Sequence, residues 1–114
     1  MMLDWHEYQK QIAAHTAGIG RANREIIKGY RGLSEAGSAT DLLGGKIREL
    51  IALAVAVTRQ CDGCIVNHTD AAIKQGATKE EIIEALSVAV AVNAGAALTF
   101  STRVMDAFEA KVKE

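Results

Sequence analysis

"KIRELIALAVAVTRQ", residues 46–60, admits two readings, and the fold turns on which is right. Its apolar run, 50–57, has the length and valine content of a buried strand. Alanines at 52, 54 and 56 and the charged opening favour a helix, because alanine and straight-chain residues are the best helix formers. The flanking segments agree with the helix. The chain has no proline and few aromatics, so little besides glycine interrupts helical structure.

Upstream, residues 3–16 fit a first helix that ends near Gly18 and Gly20. A second runs over 22–36, with Ile19, Ala22, Ile26, Tyr30 and Leu33 at three- and four-residue steps. Arg21, Arg24, Lys28 and Arg31 share the opposite face, which reads as solvated surface. A dock for an acidic partner is the sharper alternative. "GLSEAGSATDLLGG", 32–45, reads as the one long connection.

Downstream, a turn over 59–62 leads into a fourth helix that ends around Gly76. Thr78 and Glu81 then form a capping-box pair. The next helix, 82–98, is apolar almost all round. The last runs to the C-terminus, with a bend or restart at 93–95, where glycine weakens the helix. The expectation is one all-α domain, 1–114, of five to six helices. Helices 47–58 and 82–98 need cover on nearly every face, and 114 residues offer little interior for them. Association into a homo-oligomer resolves this. Trp5 and Phe100 read as packing anchors, while His6 and His15 carry no assigned role.

Thirteen basic against 14 acidic side chains give a net charge of -1, which weighs against a nucleic-acid partner. The N-terminus has no signal-peptide pattern. The apolar runs read as short of the ~20 residues that span a bilayer. A soluble cytoplasmic protein without a membrane partner is expected. In that reducing setting a close cysteine pair is more often metal-binding or redox-active than a structural staple.

"RQCDGCIVNHTD", 59–70, holds both cysteines. If the fourth helix begins near Asp62, Cys61 sits at its N-terminal edge and Cys64 in its first turn. The free N–H groups and the positive end of the helix dipole favour a thiolate there. His68, one turn after Cys64, shares its face and can move a proton to or from the thiol. Glu49, on the preceding antiparallel helix, falls within about one helical turn, ~5 Å, of His68 in register and can orient it. Zinc held by Cys61, Cys64, His68 and Glu49 is the competing use of the same residues. No second CxxC and no HxxxH supports it, and the core does not need metal to fold.

The stretch "RELIALAVAVTRQCDGCIVNHTDAAIKQGATKEEIIEAL" resembles the core of the carboxymuconolactone decarboxylase/AhpD-like superfamily, and within it the AhpD-like alkylhydroperoxidases. The resemblance covers about 46–105. Its specific part is a glutamate twelve residues before a CxxC, with a histidine four after the second cysteine. Glu49, Cys61, Cys64 and His68 reproduce that spacing.

The resemblance implies an all-α helical bundle that assembles as a trimer or hexamer. It also implies a thiol-dependent hydroperoxide reductase. Cys64 would be the peroxidatic thiolate, Cys61 the resolving thiol, and Glu49 with His68 the proton relay. No cofactor or bound metal is implied. The implied partners are a hydroperoxide and a dithiol reductant, either lipoyl-bearing or thioredoxin-like. Some alkylhydroperoxidases carry a histidine between the cysteines where this chain has Gly63, so a shorter relay is expected. The decarboxylase branch normally lacks the CxxC, which argues against lactone decarboxylation. A non-catalytic oligomeric redox sensor or zinc module is the alternative.

Overall fold

A computed structural model describes residues 1–113. Five helices follow one another: α1 (Trp5–Ala22), α2 (Arg24–Thr40), α3 (Gly45–Thr58), α4 (Asp62–Lys74) and α5 (Lys79–Val112). The all-α reading of 46–60 holds, and no strand occurs among the described residues.

Short polar side chains set the boundaries. Asp4 caps α1 by accepting the Glu7 N–H. Asn23 both closes α1, through its N–H to the Ile19 carbonyl, and opens α2, by accepting the Glu25 N–H. Thr78 and Glu81 form the expected capping box at the start of α5.

Three boundaries differ from the sequence reading. Helix α1 passes through Gly18 and Gly20 instead of stopping there. A Cβ on Gly20 would fall 2.9 Å from Ile27, so this glycine lets α2 approach closely. Helix α2 continues to Thr40, which shortens the expected 32–45 connection to 41–44. There Asp41, at φ 49°, ends one helix, and Gly44, at φ 83°, precedes the next. Helix α5 is continuous across 93–95, because a glycine costs only ~1 kcal/mol relative to alanine in a helix.

Helix α3 lies between α4 and α5, while α1 bridges α4 and α2. The buried residues are Leu53 and Ala56 on α3, Ala72 on α4 and Ala89 on α5. Alanine at three of these four points lets the helices come close. Polar links reinforce the packing: Lys46 Nζ to Glu81 Oε2 at 2.7 Å, and Asn93 Nδ2 to Thr58 Oγ1 at 2.8 Å, both between α3 and α5. Gln9 Nε2 donates to Asn67 Oδ1 at 2.9 Å, tying α1 to α4.

The single chain leaves much apolar surface uncovered. Its accessible area is 9109 Å², against roughly 6,000 Å² for a compact monomer of 12.1 kDa. Its radius of gyration is 19.0 Å, where about 13 Å suits a compact 100-residue domain. Within one chain, therefore, 47–58 and 82–98 are not buried all round. Ile51, Val55, Val88, Val90 and Val92 are exposed. Phe100 is exposed too, with Arg103 stacked over its ring, so it anchors no intrachain packing. Trp5 is half-buried and meets Tyr8 edge-on. By length and composition alone α5 would suffice to cross a membrane. This corrects the expectation that every apolar run is too short, since Ser87, Asn93 and Thr99 interrupt the apolar run without adding charge.

Candidate redox site

The site lies where α3 hands over to α4. Helix α3 closes at Arg59, and Gln60 takes a positive φ of 53° to turn the chain. Cys61 follows as the N-cap of α4, in extended conformation, and its Sγ accepts the Cys64 N–H at 3.2 Å. Cys61 and Cys64 are bonded as a disulfide, with Cα atoms 5.2 Å apart. An N-cap residue and the third residue of the helix it caps are close enough for this, so the disulfide fits without disturbing α4.

The structure sharpens one expectation here. Both cysteines lie at the start of α4 as the sequence implies, and it is Cys61 that makes the capping hydrogen bond. Once reduced, a Cys61 thiolate keeps that bond and the favourable end of the α4 dipole. Cys64 instead has His68 one turn ahead on its own helix.

His68 Nδ1 and Glu49 Oε2 are 2.7 Å apart, joining α4 to α3. Both side chains are half-buried, at 35% and 24% exposure, so solvent still reaches the pair. With Nδ1 held by the carboxylate, Nε2 is left to exchange protons with a reacting group. Of the four residues singled out by spacing, the disulfide joins Cys61 to Cys64 and a hydrogen bond joins Glu49 to His68, while Cys64 and His68 lie one turn apart on α4.

Gly63 stands between the cysteines. A Cβ there would fall 2.9 Å from Ile12 Cδ1, so any side chain at 63 requires Ile12 to move. Helix α1 thereby covers the position where some alkylhydroperoxidases carry a histidine. Periodicity gave no sign of this role for Ile12, because contact between α1 and α4 is a matter of tertiary packing. Asn67, beside His68 and bonded to Gln9, was missed for the same reason. His6 and His15 are exposed. No cluster of three or more His, Cys, Asp or Glu residues able to hold a metal ion occurs among the described residues.

Residues 24–107 match the carboxymuconolactone decarboxylase family. An uncharacterized protein of Haemophilus influenzae is 39% identical over 108 residues, covering 95% of this chain and 96% of its own. "Uncharacterized protein 4 in cox locus" of Paracoccus denitrificans is 38% identical over 95 residues, covering 83% and 86%. In three dimensions the chain is similar to a carboxymuconolactone decarboxylase family protein from Legionella pneumophila, solved as the apo protein. The TM-score is 0.74 at 34% identity, over 92% of this chain and 94% of that one.

Proposed function

The chain belongs to the carboxymuconolactone decarboxylase family, and within it we propose a thiol-dependent hydroperoxide reductase of the AhpD-like kind. The observation that carries this reading is the Cys61–Cys64 disulfide beside a Glu49–His68 hydrogen bond of 2.7 Å. A redox couple and a held imidazole one turn apart on α4 support a nucleophile, base and orienter arrangement of thiol catalysis.

In the reduced enzyme the Cys64 thiolate attacks one oxygen of the hydroperoxide. The O–O bond breaks, Cys64 becomes a sulfenic acid, and the alkoxide leaves as an alcohol after taking a proton through His68. Glu49 holds the imidazole in position through their hydrogen bond. The Cys61 thiol then attacks the sulfenic sulfur, which releases water and forms the disulfide. An external dithiol, lipoyl-bearing or thioredoxin-like, reduces it and is itself oxidised. Attack at Cys64 is favoured in that step, because the Cys61 sulfur leaves as a thiolate stabilised by the Cys64 N–H.

The working unit in this reading is a homo-oligomer, a trimer or hexamer. The chain exposes roughly 3,000 Å² more than a compact monomer of its mass, beyond what one standard interface covers per partner. The long apolar helix α5 is the surface that such an assembly would cover.

Peroxide turnover tests the chemistry. Wild type, Cys61→Ser and Cys64→Ser are assayed with cumene hydroperoxide, using dihydrolipoamide or reduced thioredoxin as the reductant. The expected result is turnover by wild type alone, with a sulfenic acid trapped on Cys64 in Cys61→Ser. Full turnover by Cys64→Ser would sink the assignment. Zinc that co-purifies in equal amount with the chain and blocks alkylation of both thiols would favour the metal module instead.

A further inference from the structure

The α1–α2 hairpin carries a feature that reduction of a small peroxide does not use. The helices meet at Gly20 and Ile27 and leave an open trough of about 680 Å³. Ala17, Gly20 and Ile27 give it an apolar floor, and Arg21, Arg24, Lys28 and Arg31 stand along it. Glu35 is the one carboxylate there. None of the four cations forms an ion pair among the described residues. A second hollow shares Ala17, Gly20, Ile27 and Arg31 with the trough and reaches Ile12 and Asn67. Ile12 is the side chain against Gly63, and Asn67 precedes His68. Two adjoining hollows therefore follow α1 from the four cations to Ile12, the side chain that packs on Gly63 between the cysteines. From Ile12 to Arg21 they follow nine residues of α1, roughly 14 Å.

An apolar floor with a cationic end suits a ligand of matching polarity. A second copy of the chain is a poor occupant. The 85–102 stretch of α5, a long uncovered apolar surface, has no charged residue and cannot neutralise the stripe. Burying four unpaired cations against it would be strongly unfavourable. An anion that keeps one side in water incurs no such cost and gains charge-assisted hydrogen bonds.

We propose that this trough binds an amphiphile with a long apolar tail and an anionic head. The head sits among Arg21, Arg24, Lys28 and Arg31, and the tail lies along Ala17, Gly20 and Ile27 toward Gly63 and the disulfide. Resting on the peroxidase reading, this makes the natural substrate class an acidic lipid hydroperoxide whose oxygen is delivered to the thiols by its anchored head. The chemistry is the step written above.

Calorimetry on the oxidised full chain tests binding without turnover. Dodecanoate, dodecyl phosphate and methyl dodecanoate are the probes. An anionic probe is expected to bind about tenfold or more tighter than the ester, and whichever anion binds tighter names the head group. Arg24→Gln with Arg31→Gln should remove that advantage and leave ester binding unchanged. Ala17→Phe, on an exposed helical position, should block all three probes with melting unaltered. Equal affinity for acid and ester, no binding of either anion, or indifference to both variants overturns the proposal. A change in assembly mass caused by the arginine variants overturns it too, by assigning the stripe to a second copy. Turnover of cumene hydroperoxide, small and uncharged, separates the two readings. If wild type binds dodecanoate but fails that assay, the peroxidase reading falls and the trough stands. If it turns over cumene hydroperoxide without binding either anion, the trough falls alone.

Discussion

Helices α3 and α4 and the second half of α5 have much the same vocabulary of alanine, valine and small polar residues, yet they behave in opposite ways. Between α3 and α4 the groups find partners within the chain. Leu53, Ala56 and Ala72 are buried, Glu49 meets His68, and Cys61 caps the helix that holds Cys64. Beyond Ala89, every described residue of α5 is exposed. Its hydroxyls at Ser101 and Thr102 bond only to their own helix. Composition alone does not distinguish the two regions. What separates them is whether partners are found within the chain. The first region builds the candidate site, and the second leaves its apolar surface uncovered within the chain.

The largest expected effects fall in the first region. Cys64→Ser removes the nucleophile and should reduce peroxide turnover to the level without enzyme. Cys61→Ser should allow one turnover and then stop, as a stopped-flow burst would show. His68→Ala should lower the rate by ~10²–10⁴-fold, the usual worth of general acid–base help. The half-exposed ring leaves no large cavity, so the melting temperature should hardly change. Glu49→Gln should act in the same direction but less, since Glu49 works through His68. A stable His68→Ala variant with wild-type turnover would take the relay out of the mechanism.

The second region makes a different prediction. Val90 is 68% exposed in one chain, so Val90→Asp should be harmless if the protein works as a monomer. If α5 is covered by other copies, an unpaired buried charge costs several kcal/mol. The assembly should then dissociate, or the chain unfold. Light scattering at micromolar concentration is decisive. A wild-type mass near 12.1 kDa would end the oligomer reading.

The contrast also marks what could be read in the sequence. The helical nature of 46–60, the capping box at Thr78 and the approach of Glu49 to His68 all follow from short-range rules. Spacing, caps and a tight turn suffice for them. Gly20 misled because a helix-weakening residue and a close-packing residue look alike until α2 is in place. Gly95 misled because the cost of one glycine is small beside the rest of a 34-residue helix. The cover over Gly63 by Ile12, and the trough along α1 and α2, depend on how distant helices dock, which no local pattern encodes. Phe100 reads as a packing anchor in the sequence, but what such a residue packs against is not written in its neighbourhood.

At the boundary between the regions, Asn93 Nδ2 donates both to Thr58 Oγ1 and to the Ala89 carbonyl, at 2.8 Å each. It is the last polar link from α5 back to α3 among the described residues. Asn93→Ala should cost ~1 kcal/mol in denaturant unfolding, the usual worth of a hydrogen bond. Turnover should be unchanged, because neither partner touches the thiols. A large loss of activity at constant stability would mean that α5 shapes the site directly, and the division into two regions would be wrong.

The smallest effect belongs to the other tie between α3 and α5, and it has a sign. Lys46 Nζ lies 2.7 Å from Glu81 Oε2, and the Glu81 carboxyl is held below its ordinary value, first by that hydrogen bond and then by the Thr78 N–H. A carboxyl whose value is lowered on folding stabilises the fold where it is ionised in both states, above the ordinary glutamate value. That contribution is lost as pH falls through the lowered value in the folded chain. Lys46→Met leaves only the capping bonds to hold the shift. The variant should therefore be slightly less stable than wild type at neutral pH, and the difference should shrink as the solution is acidified through the carboxylate range. Salt should weaken the neutral-pH difference too, because both side chains are well exposed. Chemical denaturation at a series of pH values reads this directly. A difference that stays constant on acidification would show that Lys46 acts by covering apolar surface at the start of α3, and not through its charge on Glu81.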